Sequence, residues 1–224
     1  MAASTLLNSS IGRKVTMALS GVFLISFLAL HVSLNMTSVI DRDTFNSVSH
    51  FMGYNPVVQY LLQPILAFGV FFHFIAGIAL ELKNRRARPI GYVVNNGSAN
   101  STWASRNMIV SGLVILAYFG LHWYDFWFRE LDYKFLEQQA PNATRYYDEL
   151  VHKFKSPIRT GLYCVAFVLL GVHLWHGVVS SLQSIGFNNQ YARALSKLGR
   201  GFAIVVPAGF IVIALYHHFG HLNF

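Results

Sequence analysis

Five stretches of this chain contain no Asp, Glu, Lys or Arg and are long enough, or nearly so, to cross a bilayer: residues 15–34, 57–80, 108–124, 160–182 and 201–219. A hydrocarbon core of about 30 Å takes roughly 20 helical residues. In that medium the backbone finds no water, and a helix satisfies its hydrogen bonds internally. The pattern predicts an all-α membrane protein, one domain over residues 1–224 with five transmembrane helices. With 54% hydrophobic and 12% charged residues, an ordinary soluble domain is excluded.

The charges indicate an orientation. With a cytoplasmic N-terminus, the inner segments hold ten basic residues (Arg13, Lys14, Lys83, Arg85, Arg86, Arg88, Arg106, Arg193, Lys197, Arg200) against one acid, Glu81. The outer segments hold seven basic residues and eight acids. Positive-inside bias therefore predicts the N-terminus inside and the C-terminus outside. Arg13 and Lys14 lead into an apolar run without an A-x-A-like site, which reads as a retained spanning helix rather than a cleaved leader. The basic stripe borders spanning helices and carries no aromatic-rich motif, so nucleic acid is not expected as a partner. Cys164, the single cysteine, reads as a small buried hydrophobe.

Between the spans, 35–56 reads as an outer connection ending in turn signals at Gly53, Asn55 and Pro56. Residues 83–107 read as an inner loop containing the polar run NNGSANST. Residues 129–158 read as an outer capping segment with one or two short amphipathic helices broken at Pro141. Arg193, Lys197 and Arg200 share a face of any helix formed over 183–200. Pro207 is expected to kink the fifth span. No solenoid-type repeat is visible.

Each of the first four spans carries a deep histidine: His31, His73, His122 and His173. An imidazole in hydrocarbon needs a hydrogen bond, a proton path or a metal. Counted from the inner boundary at about 1.5 Å per residue, His31 and His122 lie roughly 25 Å deep and His73 and His173 roughly 15 Å deep. Two matched pairs on two levels predict two bis-histidine haems, stacked inside a bundle of the first four spans.

His73 and His173 each begin H-x-x-x-G, so Gly77 and Gly177 lie one turn away on the same face. A residue without a Cβ lets a flat macrocycle approach the backbone. Glycine also serves helix packing in membranes, and a single histidine is accounted for by a helix-to-helix hydrogen bond. His176, three residues beyond His173, is its rival as ligand. His217, His218 and His221 at the outer end of the fifth span read as solvated, as do His50 and His152. Zinc uses imidazole too, but four helices at two heights suit a wider group.

With these residues in view, the chain resembles the single-chain, five-helix, two-haem cytochrome b membrane anchors of succinate dehydrogenase and fumarate reductase that work with menaquinone. The resemblance covers nearly the whole chain and rests on ALHVSLN around His31, TFNSVSHFM at 44–52, FFHFIAG around His73, GLHWY around His122 and GVHLWHGVVSSLQSIG around His173. It implies that His73 and His173 hold the iron of a proximal haem b and His31 and His122 that of a distal one. It implies a flavoprotein and an iron–sulfur subunit docked on the cytoplasmic face of a bacterial inner membrane, with no dicarboxylate site in this chain. Electrons pass between the iron–sulfur partner and menaquinone.

Ser10, Arg13, Arg106 and Lys197 are candidates to meet haem propionates at the inner boundary. Asn35, His50, Trp123 and Asp125 are candidates for the quinone, and Asp125 also reads as the end of the third span. The extended 129–158 segment departs from the family. The cytochrome b subunit of a hydrogenase or formate dehydrogenase is an alternative that does not account for FNSVSHFM. A haem-free proton-coupled transporter is a further alternative, against which stands the lack of a visible second half.

Overall fold

The computed structural model describes residues 9–87, 103–187 and 190–220. Arg88, the loop run at 95–102 and His221 lie outside the described residues. Among those described, the regular elements are helices, five of them long and apolar enough to cross a membrane.

Helix α1 (Ser10–Ile40) starts where the Ser9 hydroxyl accepts the Gly12 amide at 2.9 Å, satisfying a free N–H of the first turn. It ends at Asp41, whose extended backbone (φ −155°, ψ 126°) breaks the winding. The carboxylate of Asp41 accepts the Thr44 amide at 2.7 Å and thereby starts α2 (Arg42–Tyr54). Residues 35–56, read as a connection, are thus the last turns of α1 and a second helix. Asn55 Oδ1 accepts the amides of Val57 and Val58 and opens α3 (Val58–Arg86).

Helix α4 (Met108–Leu136) outruns its expected end at residue 124. No Pro or Gly follows Gly120 in it, and its polar residues find partners in neighbouring helices. Wider i→i+5 turns at Trp123–Trp127 and Asp132–Leu136 carry it on. Only Tyr146–Phe154, α5, remains as a separate helix in the outer segment. Pro157 sits in the first turn of α6 (Pro157–Ser184), where its missing N–H costs nothing. Helix α7 (Ala192–Gly220) takes in Arg193, Lys197 and Arg200, all exposed. Its Pro207 cannot donate to the Ala203 carbonyl. Gly171 leaves room there: a Cβ on it would lie 3.2 Å from that oxygen.

Helices α1, α3, α4 and α6 form a ring in which each packs on its neighbours, and α7 lies outside against α6 and α1. "Inner" below means the end where α1 begins, and "outer" the opposite end. Helices α2 and α5 cover the outer end, where Phe45, Leu150, Phe154, Phe167 and Phe210 build the main core. Large apolar side chains such as Phe68, Phe71, Ile75, Val165 and Val205 face outward, as a lipid-facing surface requires.

Candidate cofactor site

A cavity of about 650 Å³ runs inside the ring, from Lys14 and Glu81 at the inner end to Leu150 of α5 at the outer end. His31, His73, His122 and His173 all line it. They face each other in the expected pairs: the ring centroids of His73 and His173 are 6.3 Å apart, and those of His31 and His122 are 5.8 Å apart. Ser20 touches His73, and His31 lies eleven positions further along, so the two levels differ by roughly 16 Å along α1, more than the 10 Å or so that the depth count gives. The same count separates Ser111, which touches His173, from His122.

At the inner level Ser20 Oγ lies 2.7 Å from the Met17 carbonyl and 3.0 Å from His73 Nδ1. Ser111 Oγ lies 3.0 Å from the Met108 carbonyl and 3.2 Å from His173 Nδ1. A Cβ on Gly21 would come 3.8 Å from His73 Cε1, and one on Gly112 would come 3.6 Å from His173 Cε1. Gly77 and Gly177 lie against Met17 and Met108, whose Cε atoms would be 3.4 and 3.3 Å from an added Cβ. All four glycines line the cavity, one from each helix of the ring.

These contacts expose a repeat that reading each span alone does not show. Helix α1 carries Met17-x-x-Ser20-Gly21-x9-His31 and α4 carries Met108-x-x-Ser111-Gly112-x9-His122. Each is followed by a helix bearing His-x-x-x-Gly, and the Met–Gly, Ser–His and Gly–His contacts recur in both hairpins. Phe27 and Tyr118, at equivalent positions, stack on His31 and His122 at 5.1 and 5.7 Å.

At the outer level His122 Nδ1 is buried without a hydrogen-bond partner. The Asn35 amide nitrogen donates to the His31 carbonyl at 2.8 Å and faces His31 Nδ1 at 3.3 Å. Asn35 and Trp123 line the cavity, Trp123 packed on Phe71 and Phe119. His50 lies elsewhere, against Tyr54 and Tyr146, with its Nδ1 buried and unpaired. His176 lines the cavity one turn nearer the inner end than His173. Lys14, Ser105, Ser181 and Ser184 supply the polar lining there. Ser10, Arg106 and Lys197 are exposed and Arg13 half-buried; none of these four lines the cavity.

Asp125 does not end a helix. Its side chain is 0% exposed, Tyr163 donates to its Oδ2 at 2.8 Å, and Arg159 and Lys153 lie 3.3 and 3.8 Å from its Oδ1. It lines a second, polar cavity of about 350 Å³ together with Arg129, Asp132, His152 and Lys153. Burial holds the Lys153 ammonium below its ordinary range, with Asp125 opposing that shift. His217, expected to be solvated, is 2% exposed, its Nε2 2.9 Å from Ser38 Oγ.

The outer segment is locked by charges. Glu130 pairs with Lys134 at 2.7 Å and with Arg145, which also holds Glu149 and lies over the rings of Tyr133 and Tyr146. Desolvation lowers the guanidinium's affinity for its proton, but the bonds to Glu149 and Glu130 outweigh it and hold Arg145 above its usual range.

No protein-family model, curated protein or solved structure matches this chain.

The residues present fit a haem at the inner level. Two imidazoles bound from opposite sides to one metal, at about 2 Å each, bring their ring centroids to roughly 6 Å, close to the separation of His73 and His173. Four glycines keep Cβ atoms out of the surrounding space. The outer pair is spaced half an ångström closer, at 5.8 Å, and has an orphan nitrogen on His122. The Asn35 amide nitrogen, which donates to the His31 carbonyl, faces His31 Nδ1 as a donor, so the outer pair lacks the acceptor that each inner histidine finds in a serine.

Proposed function

We propose that this chain is the membrane anchor and electron-transfer subunit of a succinate:quinone oxidoreductase, carrying two haem b groups on His73 and His173 and on His31 and His122. The observation that carries this reading is the pairing of the four histidines across one cavity at two levels. Iron held by two imidazoles has no open position, which suits one-electron transfer rather than oxygen activation.

The chain's own residues bind and orient the groups. The four histidines would hold the two groups through ring nitrogens, the glycines of the inner level would leave room for the macrocycles, and Phe27 and Tyr118 stack on the outer rings. Lys14, which lines the inner end of the cavity, is the propionate partner of this reading; Ser10, Arg13, Arg106 and Lys197, expected in that role, lie outside the cavity lining. Asn35 and Trp123 are the quinone candidates that share the cavity with the outer pair; menaquinone is the expected substrate. An iron–sulfur subunit, with its flavoprotein, docks on the basic inner end, which lies in the cytoplasm when the chain spans a bacterial inner membrane. The TFNSVSHFM run, now α2 packed on α1 and α5, favours this assignment over a hydrogenase or formate dehydrogenase cytochrome.

The repeated hairpin removes one argument against a haem-free transporter. Transporters of that kind break their helices at the midplane binding site, whereas α1, α3, α4 and α6 wind continuously past all four histidines. A pyridine haemochrome assay with redox titration of the purified protein decides between them: two low-spin b haems per chain are expected, and a colourless preparation removes the reading. Co-purification of a flavoprotein and an iron–sulfur protein tests the partners.

A further inference from the structure

A serine hydroxyl has one proton to donate. Ser20 and Ser111 each lie within hydrogen-bond distance of the carbonyl three residues back, which can only accept. With the proton committed there, each oxygen can only accept from the histidine it also touches, His73 Nδ1 or His173 Nδ1. The ring proton then sits on Nδ1 of both histidines and the free lone pair on Nε2. Metal-binding histidines are fixed in this way, by a bond that holds the other nitrogen's proton and raises the basicity of the ligating one.

We propose that Ser20 and Ser111 are positioning residues that lock His73 and His173 in the Nδ1–H tautomer, so that the inner pair is preset to bind a metal before any arrives. The arrangement is built twice, in both hairpins, with a glycine next to each serine making room for the imidazole. The outer pair is not built this way: His31 faces the Asn35 amide nitrogen, a donor, and His122 Nδ1 faces no partner. The two levels therefore differ in what holds their imidazoles, and loss of a serine acts on the inner level alone. The metal half of this inference rests on the haem reading, and the tautomer half does not.

The test uses the full chain labelled with ¹⁵N-histidine, as wild type and as Ser20→Ala, Ser111→Ala and Ser111→Thr. Ser26→Ala is the control, since Ser26 bonds back to the Val22 carbonyl on the same helix. In protein without haem, the imidazole nitrogen shifts of the wild type are expected to report Nδ1–H at His73 and His173. Ser20→Ala releases only His73, Ser111→Ala only His173, and Ser111→Thr and Ser26→Ala match wild type. In haem-loaded protein the iron fixes the tautomer, so the readout is the inner haem's potential. A less basic imidazole stabilises ferric iron less, so each serine-to-alanine change raises that potential, by about 59 mV for every tenfold loss in ferric over ferrous affinity; Ser111→Thr restores it. Nε2–H at either histidine in wild type overturns the inference without any variant, and so do alanine variants with wild-type potentials. A chain that never binds haem removes the proposed function, while its nitrogen shifts still decide the tautomer.

Discussion

The Tyr163 hydroxyl donates to Asp125 Oδ2 at 2.8 Å, and this bond joins two cavities: Tyr163 lines the one that holds the four histidines, Asp125 the polar one beside it. Tyr163 also packs edge-on against Tyr118, which stacks on His122. The carboxylate thus both lines the polar cavity and supports the aromatic shell around the outer pair.

Removing that carboxylate leaves the Tyr163 hydroxyl without its acceptor and Arg159 without its counter-charge. Breaking a buried ion pair from one side costs about 3–5 kcal/mol, and Arg159, 31% exposed and able to reach water, puts this case near the lower end. Asp125→Ala is expected to lose about 3 kcal/mol, and Asp125→Asn, which keeps an acceptor for Tyr163, clearly less. Thermal unfolding in detergent checks the order; equal stability of the two variants contradicts this account.

Small residues let α7 approach α6. A Cβ on Gly199 would lie 2.7 Å from Val178 Cγ1, and both residues are buried, so neither can move aside. Gly199→Ala is expected to destabilise by about 1–3 kcal/mol through overpacking. Gly120→Ala, which meets nothing within 4 Å, should be neutral or slightly stabilising through helix propensity. The two unfolding curves, recorded side by side, separate contact from propensity.

What the sequence made legible follows from which contacts are local. The five spans could be read because about 20 apolar residues in a row satisfy one medium. Their ends could not: Ser9 and Asp41 set them by single side-chain caps, and α4 runs on because Asp125 finds Tyr163, Glu130 finds Arg145 and Lys134 finds the Gly53 carbonyl, all on other elements. The histidine pairs could be reckoned from depth, as helices rise uniformly. The serines escaped notice because their bonds span 53 and 62 residues. Aligning α1 with α4 would have found them through Met-x-x-Ser-Gly-x9-His. His217 looked interfacial by position, but Ser38 of α1 and Tyr147 of α5 pack on it and it is buried.

Asp41 gives the outer end a dependence on pH. Its bonds to Thr44, first from the side chain and then from the backbone, hold its carboxyl below the ordinary value of 3.8. A depressed folded-state pKa means that the contribution is complete above the unfolded value and fades as pH falls through the folded one. The start of α2 should loosen as the medium is acidified below about 4, and Asp41→Asn, which keeps a capping oxygen, should remove that dependence. Amide exchange at Thr44 and Phe45 against pH is the measurement.

The last prediction concerns which histidine in HLWHG matters. His173 faces His73 at 6.3 Å, is held through Nδ1 by Ser111, and has Gly112 beside its ring. His176 lines the same cavity one turn toward the inner end. A residue three along a helix is displaced by about 4.5 Å of rise, too far to occupy the place opposite His73 without moving the backbone. His173→Ala is therefore expected to lower the haem content from two per chain to one, and His176→Ala to leave two. Double replacement of His73 and His173 should cost no more haem than either alone, because both histidines would be needed to hold the one group between them. Haem counted by pyridine haemochrome in the four proteins reads this directly, and retention of both haems by His173→Ala together with loss in His176→Ala would reverse the assignment.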